Sequence, residues 1–388
     1  MTVVLRNSSL PLIFFFFNYY SLSPQYLIQF NIESHKMYGQ IVIGPPGSGK
    51  STYCHGMHQF MSAIGRKLCI INLDPANDRL PYPCELDIRD FISLEEIMEE
   101  LNLGPNGGLM YALESLDTDE NVEEFVKKVD ALVQDGNYLL FDCPGQVELF
   151  THHNSLFKIF KKLSKNLRLC VVSLVDSIYL TSPSQYISIL LLSLRSMLQL
   201  DLPHVNVISK IDMLKSYGEL PFRLDYYTEA QDLHYLTPLL EKESNSVLGQ
   251  NYVRLTELIG ELVEDFHLVA FEVLSVENKK SMINLLSVID KANGYSFGNE
   301  IGGDMIWSEA TRQNGSGNNG IQDVDIHERW VEYKDEYDAE EQKNEEEFRK
   351  AMADQEGDED KPMNEEEEWE AALKDWEKKH GGEGAMLR

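Results

Sequence analysis

The chain has 388 residues, of which 43% are hydrophobic, and it carries a net charge of −30 with an isoelectric point near 4.6. That length predicts two or three domains with enough apolar residues for a large buried core. The acidic charge argues against direct binding of nucleic acid or of an anionic membrane, because phosphate contacts need Lys and Arg. Five cysteines without a C-x-x-C pair indicate reduced thiols and thus an intracellular protein.

The first 36 residues contain an apolar run that imitates a signal peptide. Residues 10–20 (LPLIFFFFNYY) follow one positive charge, Arg6. The run is too short to span a bilayer, and no clear small-residue cleavage site follows it. We therefore interpret residues 1–36 as a disordered or wrongly predicted extension and expect the compact domain to begin at Met37.

Six short apolar runs predict the strands of a buried sheet: residues 40–44, 67–74, 137–145, 168–176, 204–212 and 268–276. The runs are continuous rather than alternating, which is typical of strands buried on both faces. Segments with helical spacing separate them, so we predict an α/β protein with a mostly parallel sheet covered by helices on both faces. Residues 183–203 are long and apolar but interrupted by Arg195, which favours a buried helix over a membrane span.

The pattern of strands and helices ends near residue 298. Residues 299–388 are rich first in Gly, Asn and Ser and then in acidic residues, and residues 321–388 alone carry a net charge of −15. This composition predicts a largely disordered acidic tail. Within it, Trp369, Leu373 and Trp376 share one helix face, which indicates either a short docking motif or a solvated acidic helix that happens to hold tryptophans.

The strongest motif is GPPGSGKS at residues 44–51, which follows the first predicted strand and opens a helix near Lys50. Such a P-loop turns backbone N–H groups toward phosphate oxygens, and the helix N-terminus adds positive potential. Lys50 is predicted to reach the β and γ phosphates, and Ser51 to ligate Mg²⁺. The predicted phosphate-binding residues are Gly47, Ser48, Gly49, Lys50, Ser51 and Thr52.

Two other predicted strands end in carboxylates. Asp142 lies where P-loop enzymes keep the carboxylate that holds Mg²⁺, and Gln146 and Glu148 follow it in the next loop. Asp74 ends the second strand, at the edge where α/β sheets bind ligands. It is a candidate for orienting water, but a helix cap or an Asx turn explains it equally well.

The fifth predicted strand ends in SKID, residues 209–212, which is similar to the N-K-x-D motif that reads guanine. Asp212 would accept the two N–H donors that guanine has and adenine lacks, and unpaired groups would penalise the wrong base. Lys210 would pack its stem along the base. Ser209 replaces the usual Asn and so lacks the amide that steadies this loop. The predicted base-binding residues are Ser209, Lys210, Ile211, Asp212 and Ser275. At the last of these positions, the backbone N–H of Ser275 or of a neighbouring residue would be directed at O6.

One glycine-rich segment, residues 104–108 (GPNGG), interrupts a helical pattern. From residue types alone it is a turn between two helices that holds the Asn106 amide at its tip. Together with GPPGSGKST, DPAND, DCPGQVELFTHH and SKID, however, the segment resembles the GPN-loop GTPases over residues 37–297. Within that family the chain is most similar to the second of three eukaryotic paralogue groups.

The resemblance implies a Mg²⁺-dependent GTPase that works as a dimeric switch. In the family, Asn106 would point from one subunit into the opposing active site, while Asp74, Gln146 and Glu148 position the attacking water. It also implies homo- or heterodimers with other GPN-loop paralogues, and a role with RNA polymerase II subunits and assembly factors. A cytoplasmic location with shuttling to the nucleus follows from that role.

Two other functions remain open from the residues. A P-loop kinase would pass the γ-phosphate to an acceptor, although no arginine-bearing lid is evident between Asp176 and Leu200. A scaffold would use nucleotide only for stability and act through its acidic tail. Release of free phosphate separates hydrolysis from phosphate transfer, and turnover that depends on Gln146 separates an enzyme from a scaffold.

Overall fold

The computed structural model describes residues 37–77, 79–116, 119–134, 136–243, 247–295, 326–344 and 346. Within these residues, seven strands form one sheet in the order β3-β2-β4-β1-β5-β6-β7, and every neighbouring pair is parallel. The strands are β1 (Met37–Ile43), β2 (Leu68–Asn72), β3 (Leu86–Asp87), β4 (Tyr138–Asp142), β5 (Leu167–Asp176), β6 (His204–Ser209) and β7 (Phe271–Val273).

The predicted α/β class is confirmed, with two corrections to the strands, namely one additional strand and a shorter last strand. The sheet is parallel throughout, and it contains β3, which the six apolar runs did not include. This strand has only two residues and pairs with β2 at one edge, so no apolar run marks it. The last strand is shorter than the predicted run 268–276, since β7 spans only Phe271–Val273. Leu268 lies before it, with 47% of its surface exposed.

Helices lie on both faces of the sheet, because alternate strand residues enter two separate hydrophobic clusters. Ile41 joins one cluster with the helical residue Phe160, and its neighbour Val42 joins the other with Met57. The α-helices of this region are α1 (Lys50–Ala63), α2 (Leu94–Leu101), α3 (Pro105–Leu116), α4 (Asp119–Gln134), α5 (Glu148–Thr151), α6 (Ser155–Leu163), α7 (Pro183–Leu200), α8 (Leu214–Tyr217), α9 (Leu224–Glu229), α10 (Thr237–Glu243), α11 (Val247–Phe266) and α12 (Lys279–Asn293).

The long apolar segment is helix α7, and it begins with Pro183 at a helix-compatible position. Many of its residues are buried against the protein, including Tyr186, Leu190 and Leu194. Among the described residues, no helix combines the length and the apolar character needed to cross a bilayer. The prediction of a core helix is therefore confirmed.

The glycine-rich segment is the opening of a helix and not a loop tip. Helix α3 starts at Pro105, and the first helical bond runs from Gly108 N to Gly104 O at 2.8 Å. The break between α2 and α3 is instead made by Asn102, which ends α2 in the left-handed region with φ of 50°. Proline favours the first position of a helix, where its missing N–H costs nothing.

Gly108 is required by packing rather than by a turn. A Cβ at this position would lie 2.7 Å from Cγ of Met98 and 3.2 Å from Cδ1 of Leu94, both on α2. The glycine therefore lets α3 approach α2 closely, which sets where Asn106 lies on the first turn of α3.

The described residues 327–344 and 346 belong to a second compact unit. A short π-helix spans Glu328–Glu332, and Arg329 donates hydrogen bonds to Asp338 and Glu341, each at 2.9 Å. The predicted extension at residues 1–36 and the predicted tail motif with Trp369 and Trp376 lie outside the described residues. The domain boundary near residue 298 stays a prediction.

Candidate active site

The predicted site residues lie near one end of the sheet, at the carboxyl ends of the parallel strands. The P-loop follows β1, Asp74 follows β2, and Asp142 is the last residue of β4. Ser209 ends β6, and Ser275 comes two residues after β7. In the strand order, β1 lies between β4 and β5, so the P-loop lies in the middle of this end of the sheet. Parallel α/β sheets bind their ligands at this position.

The P-loop backbone needs glycine where it leaves the sheet. Gly44 has φ of 148°, and a Cβ there would lie 2.2 Å from the carbonyl oxygen of Leu174. Gly49 occupies the left-handed region with φ of 89° and precedes α1, so the chain turns sharply into the helix. Any other residue at Gly44 would have to push the β5 backbone away.

Lys50 is buried at the first turn of α1, with its ammonium folded over the P-loop. Its Nζ donates to the carbonyl oxygens of Gly44 at 3.1 Å and Pro45 at 3.3 Å. Burial lowers the pKa of the Lys50 amine, and the nearby Asp142 and Asp74 carboxylates act in the opposite direction. Lys50 is thus a buried cation, and a bound anion would offset the free-energy cost of burying its charge.

A carboxylate with one unsatisfied oxygen faces the P-loop helix. Oδ2 of Asp142 accepts hydrogen bonds from Oγ of Ser51 at 2.8 Å and from the hydroxyl of Tyr82 at 2.6 Å. Oδ1 is buried and has no hydrogen-bond partner among the described residues. Burial raises the pKa of Asp142, while the two hydroxyl donors lower it.

These groups fit a magnesium ion better than a metal held by protein alone. Among the described residues, no group of three or more His, Cys, Asp or Glu side chains could hold a metal ion. Mg²⁺ usually takes one or two protein ligands and completes its shell with water and phosphate oxygens. Ser51 and Asp142, beside the lysine predicted to bind phosphate, offer that kind of site.

Asp74 forms the Asx turn that was one of its two sequence interpretations, and its role in orienting water stays a prediction. Its Oδ1 accepts a hydrogen bond from the backbone N–H of Ala76 at 3.0 Å, which is an Asx turn. Burial raises its pKa, and Lys50 and Arg89 act in the opposite direction. The next turn brings Nδ2 of Asn77 to 3.5 Å from Oγ of Ser51, so this loop borders the P-loop helix.

Asn106 and Gln146 are brought together within the single chain. Nε2 of Gln146 donates to Oδ1 of Asn106 at 2.9 Å. Gln146 follows Gly145, where a Cβ would lie 3.0 Å from Nζ of Lys50. The Asn106 amide is therefore linked to the site of its own chain, and its predicted position in an opposing subunit stays a prediction. Glu148 opens α5 nearby and is exposed.

The SKID segment is tied directly to the P-loop. Oγ of Ser209 donates to the carbonyl oxygens of Ser48 at 2.7 Å and Val175 at 3.1 Å. The hydroxyl thus secures this loop, although the residue lacks the usual amide. Lys210 has φ of 55°, and its Nζ donates to the Gly47 carbonyl at 2.6 Å and to Asp176 at 2.6 Å.

The remaining base-binding candidates lie in two segments: Ile211 and Asp212 follow β6, and Ser275 follows β7. The side chain of Asp212 is partly exposed and makes no hydrogen bond with the described residues, so its carboxylate is available to a ligand. Ile211 is buried, and its N–H donates to Leu274. The N–H of Ser275 donates to Oγ of Ser281 at 3.0 Å, so this predicted O6 donor is engaged within the chain. Thr52 is exposed on the first turn of α1.

Sequence reasoning missed two residues that contact predicted ones. Asp176 ends β5 at the same edge and binds Lys210, and its position after an apolar run was a usable signal. Tyr82 lies in an irregular loop 60 residues from Asp142, and no local pattern connects the two. The five cysteines are free, as predicted, and burial raises the pKa of the Cys54 and Cys143 thiols near Asp142.

The chain is similar both to a family model and to individual known proteins. A family model described as a conserved hypothetical ATP binding protein matches residues 42–295. The chain is 63% identical over 350 residues to GPN-loop GTPase 2 of Saccharomyces cerevisiae, covering 89% of this chain and 98% of that protein. It is 53% identical over 302 residues to GPN-loop GTPase 2 of Schizosaccharomyces pombe, covering 77% and 93%.

A solved structure supports the same fold. The crystal structure of a GTPase in its apo form from Pyrococcus abyssi matches with a TM-score of 0.52 and 26% identity, over 67% of this chain and 98% of that one. The resemblance predicted from the motifs, including the paralogue group, is therefore confirmed. It extends beyond the predicted residues 37–297, because the match to the Saccharomyces cerevisiae protein covers 350 residues.

Proposed function

The chain belongs to the GPN-loop GTPase family, and we propose that it binds GTP with Mg²⁺ and hydrolyses the terminal phosphate. One observation carries the proposal: the phosphate loop and the SKID loop are joined directly, through Ser209 to Ser48 and Lys210 to Gly47. A P-loop alone suits any nucleoside triphosphate. A carboxylate that accepts the N–H donors of guanine, Asp212, beside that loop supports GTP in particular.

Each residue has a defined task in this reaction. The P-loop N–H groups and Lys50 bind the phosphates, and Lys50 exchanges its two carbonyl contacts for phosphate oxygens. Ser51 and Asp142 would hold Mg²⁺, which would supply positive charge to the phosphate groups.

Three side chains act on the attacking water and one on the transferring group. Asp74, Gln146 and Glu148 position the water, with Gln146 held by its contact to Asn106. Because Oδ1 of Asn106 accepts that bond, its Nδ2 is left to donate to the phosphoryl oxygens. Donors directed at developing charge are the main source of catalysis in such sites.

We further propose a dimer with other GPN-loop GTPases, in which nucleotide state changes the surface offered to a client. Resemblance to the family supports this, and supports RNA polymerase II subunits and assembly factors as partners, in assembly and nuclear import. It also supports a cytoplasmic location with nuclear shuttling. The charge of −30 favours protein partners over nucleic acid or membrane.

The test measures free phosphate from the full chain with GTP or ATP, with and without Mg²⁺. We expect Mg²⁺-dependent release from GTP, and a loss of about 10²-fold or more in Gln146→Ala, since positioned acid–base and water contacts are worth that much. The matched control is Gln199→Ala, because Gln199 makes the same kind of bond, to Asn154 at 3.1 Å. A phosphorylated acceptor would indicate a kinase instead, and tight binding without turnover would indicate a scaffold.

A further inference from the structure

The Asp142 carboxylate receives donors from two different parts of the chain on the same oxygen. Ser51 belongs to α1, and Tyr82 belongs to the loop between β2 and β3, yet both hydroxyls bond Oδ2. Oδ1 is left buried and without a partner among the described residues. Two donors on one oxygen fix the plane of the carboxylate and so its orientation beside the P-loop helix.

The two donors are not equivalent. Ser51 is itself a predicted ligand of Mg²⁺, so its hydroxyl has to serve the metal and the carboxylate together. Tyr82 is 5% exposed, packs in the hydrophobic cluster on the α1 face of the sheet, and has its hydroxyl directed at Asp142. It can hold the carboxylate without touching the metal.

We propose that Tyr82 is a positioning residue that orients Asp142 for Mg²⁺ and connects the loop after Asp74 to the metal site. This inference rests on the proposed function. Because Asp74 opens the β2–β3 loop and Tyr82 lies near its end, a bound ion that depends on Tyr82 also restrains the loop that carries Asp74. Loss of the hydroxyl frees the carboxylate to rotate and leaves Oδ2 with one donor.

The experiment measures the affinity of the full chain for GDP in Mg²⁺ and in EDTA, and takes the ratio as the metal coupling. Tyr82→Phe keeps the ring and removes the hydroxyl. We expect the coupling to fall about 10- to 100-fold, as for other groups that orient a metal ligand, while affinity in EDTA is unchanged. The control is Tyr186→Phe, which removes a buried hydroxyl bonded to the Tyr227 carbonyl at 2.9 Å and should leave the coupling unchanged.

A double-mutant cycle with Asp142→Asn separates positioning from a general structural role. If Tyr82 acts through Asp142, Tyr82→Phe adds no further loss of coupling in the Asp142→Asn background. Additive losses, or a wild-type coupling in Tyr82→Phe, would overturn the inference. A wild-type protein whose GDP affinity ignores Mg²⁺ would instead contradict the metal site of the proposed function, and the inference with it.

A second measurement does not depend on the folding of Tyr82→Phe. Site-specific 3-fluorotyrosine at position 82 keeps the ring and the hydroxyl, so the coupling should be retained. Its ¹⁹F resonance should shift when Mg²⁺ is added to the GDP complex. An unmoved resonance would show that Tyr82 does not sense the metal, and would overturn the inference.

Discussion

Replacement of Asn106 by Ala tests whether this amide acts on the phosphate or only on its neighbour. The bond from Gln146 to Asn106 is solvent-exposed, and such a bond contributes about 1 kcal/mol, or about fivefold in rate if positioning is all that is lost. A donor to the transferring phosphoryl group contributes about 3 to 4 kcal/mol, or roughly 10² to 10³ in rate. We expect the larger loss in kcat, with little change in GTP affinity, because Lys50 and Asp212 still bind the nucleotide.

Single-turnover release of phosphate from pre-bound GTP provides the assay. Asn154→Ala is the control, since Asn154 accepts the same kind of bond from Gln199 and is not a candidate site residue. If Asn106→Ala slows hydrolysis only about fivefold, and adds nothing in a Gln146→Ala background, the amide acts only by holding Gln146. A loss of that size would refute the proposed donor.

Mixed dimers decide which subunit the Asn106 amide serves. We consider a dimer of one Lys50→Ala subunit and one Asn106→Ala subunit. If Asn106 acts on the opposing subunit, the site with the intact Lys50 receives the intact Asn106 amide of its partner and is complete. Action within one chain leaves both sites defective. Recovery of activity on mixing supports the position implied by the family resemblance, and no recovery supports the contact seen within the single chain.

Three further predictions follow from the site and the tail. Bound phosphate should raise the lowered pKa of Lys50 toward its ordinary 10.5. GTP binding should therefore take up protons in alkaline buffer, and GTP affinity should fall as the pH rises through the lowered pKa. Calorimetry in buffers of different ionisation enthalpy measures the proton uptake, and identical heats would contradict it. Asp212→Asn should shift preference from GTP toward xanthosine triphosphate, because the amide donates where the carboxylate only accepts; competition binding checks it, and equal competition by ATP in the wild type would exclude the guanine site. Deletion of residues 321–388 should preserve GTP hydrolysis but weaken binding to a partner protein. The double variant Trp369→Ala and Trp376→Ala should show the same loss of partner binding in a pull-down. Loss of hydrolysis in the deletion variant would refute the predicted domain boundary near residue 298.

The sequence by itself determined the elements whose cause is local. A P-loop needs glycine at a few fixed positions and a Lys and Ser after them, so residues 44–51 were recognisable without any tertiary contact. Buried parallel strands are continuous apolar runs, and their ends therefore marked Asp74, Asp142 and Asp212. The parallel sheet and the edge that carries the site followed from the same pattern.

Only the tertiary structure decided the parts that depend on contacts between distant segments. The two-residue strand β3 exists because β2 offers it an edge, and residues 104–108 open a helix because Gly108 lets α3 pack on α2. Likewise, Gln146 pairs with Asn106, on the first turn of α3 and 40 residues away in the sequence. Tyr82, in a loop, pairs with Asp142 at the end of β4, 60 residues away. Hydrogen bonds of this kind leave no periodicity in a sequence, because only the folded sheet brings their donors and acceptors together.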